Sequence, residues 1–282
     1  MAPKPRTLFV AAAIAATWLV ATTSARVAVT RTIYFSATDS KGAPISDLTP
    51  AELTVKEGGK DRTITGVQSA TAPMQVALII EDGGTGAFQA ATLQFLNKLL
   101  PRGQFSIRLI NTQSMRLVDY TNDPDALKGA LGKIGQRGRV QPDGDQLIET
   151  IGEAAKELEK RKAERPVIVA FSVYGEAHKA VDPETILAQL KSSGASLNVM
   201  YVTGAPTGQV MGDGTKQSGG RCDEVLAGPG LAPGAVKIAD TLLNQYMLTY
   251  TLPDGVKPAD RLSLSVSRKG VVLLAPTRIP DK

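Results

Sequence analysis

The residues best equipped for chemistry stand together in Glu81-Asp82-Gly83-Gly84-Thr85-Gly86. A glycine-rich turn opening a helix can cradle a phosphate or carboxylate on its backbone N–H groups. This one has neither a full Gly-x-Gly-x-x-Gly nor a Gly-Lys-Ser/Thr ending, and Glu81 and Asp82 would repel an anion. Nucleotide binding is not expected, and a tight turn is the plainer reading. Enzymatic constellations are also missing. One histidine, His178, and one cysteine, Cys222, cannot build a His-rich zinc site. No Gly-x-Ser-x-Gly elbow presents a nucleophile, so His178 reads as a surface loop residue rather than a base. Cys222 reads as a solitary loop thiol without a disulfide partner. The expectation is a protein that is not an enzyme.

The elements around the turn explain its placement. Residues 76–80 form an unbroken apolar, β-branched run, as in a strand covered on both faces. Phe88, Ala91, Thr92, Phe95, Leu96 and Leu99 then recur at helical spacing. The turn therefore falls at the carboxyl end of a strand, where open α/β sheets bind ligands.

Further strands are predicted over 104–111, 115–120, 167–173 and 197–203. Helices are predicted over 125–134, capped by Asp123-Pro124, from Leu147 to before Pro166, and from Asp182-Pro183 to Gly194. Glu157 and Arg161 form an i,i+4 pair on the wet face of the second, beside Glu149, Glu153, Lys156 and Lys160. Residues 204–233 lack periodicity and read as a long loop, and a last helix stripe runs from Val236 to Tyr246. The fold class is α/β: a doubly wound, mostly parallel, Rossmann-like sheet. The flanks differ. Residues 26–38, 53–57, 62–67, 246–252, 261–268 and 271–275 alternate or read as short strands, which implies one-face-buried antiparallel pairing. They are expected to pack together as a β-sandwich-like module. The predicted domains are 1–25, 26–70, 71–246 and 247–282.

Composition narrows the class. A chain of 282 residues with 43% hydrophobic content can bury a sizeable core. Its net charge of +5 is mild, and no basic stripe with interleaved aromatics suggests nucleic acid. Lys4 and Arg6, an apolar core from Leu8 to Val20, and small residues up to Ala25 are the parts of a secretory signal peptide cut after Ala25. A secreted or periplasmic protein is expected, with no membrane span once the signal is removed; the rival reading is an uncleaved anchor, for which the apolar run is short. Trp18, the single tryptophan, would be lost with it.

Residues 75–100 resemble the first strand, metal-site loop and first helix of a von Willebrand factor A domain. More narrowly, the chain is similar to the secreted bacterial VWFA-related proteins. Asp39, Gly42, Pro44, Asp47, Leu48, Glu57, Gly59 and Lys60 match their opening module, and Ser218-Gly219-Gly220 and Asn244-Gln245-Tyr246 match later segments. The resemblance implies a site where oxygens from three loops hold Mg²⁺ or Mn²⁺. At its positions Glu81 replaces an Asp, Gly83 a Ser, Thr85 a Ser, Asp145 a Thr and Val173 an Asp. Two positions thus offer no side-chain oxygen, so the metal site is expected to be degenerate and no cofactor is expected. Ca²⁺, with looser geometry, would be tolerated best.

The function expected is non-catalytic binding of a protein partner. Its face would comprise Glu81, Asp82, Thr85 and Asp145 within loops 81–86, 137–145, 174–179 and 203–220. The alternatives are metal-dependent adhesion through Glu81, Thr85 and Asp145, and a hydrolase with an unrecognised site.

Overall fold

The computed structural model describes residues 29–135, 145–176 and 181–281. The signal segment with Trp18, most of the 137–145 loop, and His178 and Lys179 lie outside the described residues.

The α/β part is a six-stranded sheet. Its strands are β4 (Met74–Glu81), β5 (Gly103–Ile110), β6 (Ser114–Thr121), β7 (Arg165–Ser172), β8 (Ser196–Val202) and β9 (Cys222–Val225), in the order β6-β5-β4-β7-β8-β9. All neighbours run parallel except β5 and β6. Helices α1 (Gln89–Leu99), α2 (Pro124–Leu131) and α6 (Leu231–Leu243) cover one face. Helices α3 (Gln146–Lys160) and α4 (Pro183–Ser193) cover the other. β4 shows why its sequence is apolar throughout: Val76, Leu78 and Ile80 enter the first layer, Ala77 and Ile79 the second. Asp123 and Asp182 cap α2 and α4, and Gly194 closes α4 at φ 64°.

The flanking segments form one sheet rather than two facing ones. β1 (Val29–Thr38), β2 (Leu53–Glu57), β3 (Lys60–Ser69), β10 (Tyr246–Leu252), β11 (Leu262–Val266) and β12 (Val272–Leu274) order as β11-β2-β3-β10-β1-β12, and every pairing is antiparallel. The sandwich expected from the sequence is thus replaced by a nearly closed sheet. The single sheet buries its apolar face by curling until edges β11 and β12 touch. Phe35, Val55, Leu248 and Tyr250 fill the inside, with Phe35 stacked on Tyr246 at 5.0 Å.

Other expectations are corrected. Residues 204–233 contain a π-turn (Val210–Gly214), the short α5 (Thr215–Ser218), β9 and the start of α6. Pro233 sits within the first turn of α6, so that helix begins earlier than its apolar stripe suggested. Cys222 lies in β9, not in a loop; burial pushes its thiol up to about 11, with Asp223 adding to the rise. Glu157 does not serve Arg161: its carboxylate accepts from Arg108 (3.0 Å) and Arg116 (2.7 Å) on β5 and β6. Arg161 instead stacks over Tyr120, 4.3 Å from the ring centroid.

Candidate functional site

Winding reverses between β4 and β7: from β4 the chain steps to β5 on one side, then returns to β7 on the other. Ligands of doubly wound sheets bind outside the strand ends at such a switch point. The residues there are Glu81, ending β4, and Ser172, ending β7, which are direct partners in the parallel register.

Glu81 is buried, and the Ser172 hydroxyl donates to its carboxylate. Burial pushes the Glu81 carboxyl up to about 7, and the Ser172 bond acts in the opposite direction. Ser172 Oγ also accepts from the backbone N–H of Tyr174 (3.1 Å) and Gly175 (2.7 Å). Val173 carries no side-chain oxygen, and its N–H donates to the Glu81 carbonyl at 2.9 Å. The strand ends are therefore bolted together by a buried acid, a hydroxyl and four backbone groups.

The glycine-rich turn is shaped by Asp82. One carboxylate oxygen accepts from Gly84 N–H (2.9 Å) and the other from Gly86 N–H (2.8 Å). The Asp82 carbonyl accepts from the Thr85 hydroxyl at 2.8 Å. Gly83 at φ 61° adopts a left-handed conformation, and it also leaves room for a neighbour. A Cβ on Gly83 would stand 2.3 Å from the Tyr174 hydroxyl. The phenol therefore occupies the space into which a side chain at residue 83 would project. Thr85 is exposed at the tip of the turn. Asp145 stands at the N-cap position of α3 and makes no side-chain cap bond there.

Thus Glu81, Asp82, Gly83, Thr85 and Val173 meet at one end of the sheet. Among the described residues no group of three or more His, Cys, Asp or Glu side chains converges as a metal site would require.

The roles of three residues escaped sequence reasoning, although Tyr174 and Glu176 fall in the 174–179 loop expected to face a partner. Tyr174 covers Gly83, a pairing of aromatic and glycine visible only in space. Glu176, fully buried, accepts from Val210 N–H (3.0 Å) and Met211 N–H (2.7 Å), tying the loop after β7 to the π-turn. Arg165 is buried at the opposite end of β7. It donates to Gln245 Oε1 at 3.1 and 2.7 Å, to the carbonyls of Ala70 and Ala72 at 3.4 Å, and to that of Leu242. Its guanidinium also lies 5.6 Å from the Tyr34 ring centroid, so one side chain joins β1, the segment between β3 and β4, β7 and the end of α6. An arginine directly before a proline and a buried strand was the available signal.

No family model matches the chain, and no curated protein matches it by sequence. Solved structures do match. A von Willebrand factor type A protein from Catenulispora acidiphila is 8% identical with a TM-score of 0.52, over 92% of this chain and 76% of that one. The SpRpn10 VWA domain is 15% identical with a TM-score of 0.41, over 58% and 94%. Proximal thread matrix protein 1 from the mussel byssus, described with a zinc-occupied MIDAS motif, is 11% identical with a TM-score of 0.45, over 67% and 50%. Such identities speak for fold alone, and the Catenulispora acidiphila match together with the switch point between β4 and β7 leads to one conclusion: the chain contains a von Willebrand factor type A-like domain.

Proposed function

We propose that the chain is an exported, non-catalytic protein-binding module whose metal site is degenerate. The observation that carries this reading is the closed arrangement at the switch point, where Ser172 bonds Glu81 and Tyr174 fills the space above Gly83. Mg²⁺ demands a near-octahedral shell of oxygens. Gly83 and Val173 supply none from their side chains, the Asp82 carboxylate holds the turn, and Glu81 is engaged by Ser172. The residues present do not fit such an ion. Recognition then falls to exposed groups on the same face, with Thr85 and Ala87 at the tip of the turn. Export rests on the N-terminal 1–25 pattern, and no helix among the described residues is long and apolar enough to cross a membrane.

The test is capture of a partner from the exported fraction by the immobilised chain, with and without chelator. The expected result is one partner retained in both conditions and lost with Thr85→Arg, at an exposed position where losing the hydroxyl bond to Asp82 should cost no more than about 1 kcal/mol. Release of the partner by chelator would favour metal-dependent adhesion through Glu81, Thr85 and Asp145. Turnover in a broad hydrolase screen, abolished by substitution in this loop cluster, would contradict the non-catalytic reading.

A further inference from the structure

At the far end of the α/β sheet from Glu81, a cavity of about 430 Å³ opens along the seam between the two sheets. Its wall includes Val29, Thr30, Arg31, Thr32, Ile33 and Tyr34 in unbroken succession. Successive side chains of a strand point to opposite faces, so a space touching six in a row runs along the strand's edge. Among the described residues, that edge of β1 is open. On one side β10 pairs with residues 29–35; on the other, β12 covers only 36–38.

The sequence after β12 explains the gap. Pro276 and Pro280 have no N–H to offer a neighbouring strand. Between them, the N–H groups of Thr277 and Arg278 donate to the Gln217 carbonyl at 3.1 and 3.3 Å, and that of Ile279 to the Asp260 carbonyl at 2.9 Å. The tail is thus held off β1 and becomes the opposite wall of the cavity, while Leu187, Leu190 and Val167 give an apolar lining.

Open edges are usually guarded by proline, lysine, bulges or covering segments. Residues 29–35, Val-Thr-Arg-Thr-Ile-Tyr-Phe, contain no proline or lysine and are rich in strand-forming side chains. No register shift interrupts their pairing with β10. Apart from Arg31 and the exposed Glu164, the charges around the cavity already have partners. Lys191 pairs with Asp260 and Asp281, Arg278 with Asp260, and Arg165 with neutral acceptors. Arg31 Nε lies 3.8 Å from Glu57 and, though buried, makes no hydrogen bond among the described residues. An occupant therefore needs backbone donors and acceptors more than charge.

We propose that the open edge of β1 accepts an extended, uncharged, proline-free segment of a partner protein as an added strand, seated between β1 and the C-terminal tail. Strand addition of this kind draws affinity from main-chain bonds and selectivity from alternate side chains. The six residues span about 20 Å, enough for a peptide of similar length. The site is separate from the loops around Glu81, and its fate does not depend on theirs.

The probe is a fluorescein-labelled peptide of alternating threonine and valine with blocked ends, titrated against the full chain by anisotropy. Two further peptides carry N-methyl groups on complementary alternate residues. A strand added to one edge uses only every second N–H for that edge. One methylated isomer should therefore bind within about threefold of the parent, and the other should lose at least about tenfold. Bound peptide should slow amide exchange in residues 29–34. Thr32→Lys, at an exposed position, should weaken binding by about tenfold at unchanged thermal stability. Failure of the parent peptide to bind, equal behaviour of the two isomers, or exchange protection elsewhere would overturn the proposal. So would a dodecanoate probe protecting residues 29–34 while the peptide binds nowhere, which would mark a small-molecule pocket instead.

Discussion

Glu81 and Arg165 occupy opposite ends of the same parallel sheet, and both are buried, yet the protein treats them differently. Arg165 spreads its donors over Gln245 and the carbonyls of Ala70, Ala72 and Leu242. Burial brings it down only to about 10, so it stays charged. Glu81 has the single Ser172 hydroxyl, and its carboxyl rises to about 7. Burial moves both groups toward their neutral forms by a similar amount, and Arg165 keeps its charge because a guanidinium starts from 12.5 whereas the Glu81 carboxyl starts from 4.5. The arginine end is a structural clamp between the two sheets. The glutamate end is a closed polar bolt beneath the loops.

Breaking the clamp should have the largest effect. Arg165→Met removes every donor and leaves buried carbonyls unmatched, so denaturant unfolding should show a loss of roughly 3–5 kcal/mol. An unchanged midpoint would mean that the two sheets do not depend on this contact.

The bolt should respond in the opposite sense. The folded pKa of Glu81 lies above the ordinary carboxyl value of 4.5, so its favourable contribution is complete below that value and fades as pH rises through about 7. Glu81→Gln keeps an acceptor for Ser172 and removes the charge. It should stabilise the protein by up to roughly 3 kcal/mol in alkaline buffer and hardly at all in acid. Unfolding midpoints of the two proteins across pH would check this, and parallel curves would refute it.

Gly83→Ala should cost about 1–3 kcal/mol, because the backbone there is left-handed and the new methyl meets Tyr174. Adding Tyr174→Ala should return part of that loss, which separates the collision from the backbone strain. Thr85→Ala, at the exposed tip, should change stability by no more than about 1 kcal/mol.

The strands of the middle of the chain were legible because burial on both faces forces uninterrupted apolar runs such as 76–80 and 167–173. Asp123-Pro124 and Asp182-Pro183 announced α2 and α4 through local chemistry alone. The sheet formed by the flanks was half legible: alternation revealed strands and their antiparallel pairing, but curling depends on how edges β11 and β12 meet, which no local pattern encodes. Residues 204–233 hid a π-turn and a strand. Gly219 and Gly220 there reflect close packing rather than looseness, since a Cβ on Gly220 would lie 1.8 Å from the Leu197 carbonyl oxygen. At the site, the positions of Glu81, Gly83, Thr85 and Val173 could be aligned with a metal loop from sequence. The Tyr174 ring over Gly83 and the Ser172–Glu81 bond could not, because each joins strand ends far apart in the chain.

The central claim is that internal partners, not a cation, complete the polar cluster at the switch point. Calorimetric titration of the full chain with Mg²⁺, Mn²⁺ and Ca²⁺, read alongside thermal unfolding, tests it most directly. The account predicts no saturable heat and no rise in Tm with any of the three ions. A site of micromolar affinity that disappears in Thr85→Ala or Asp145→Ala would contradict it.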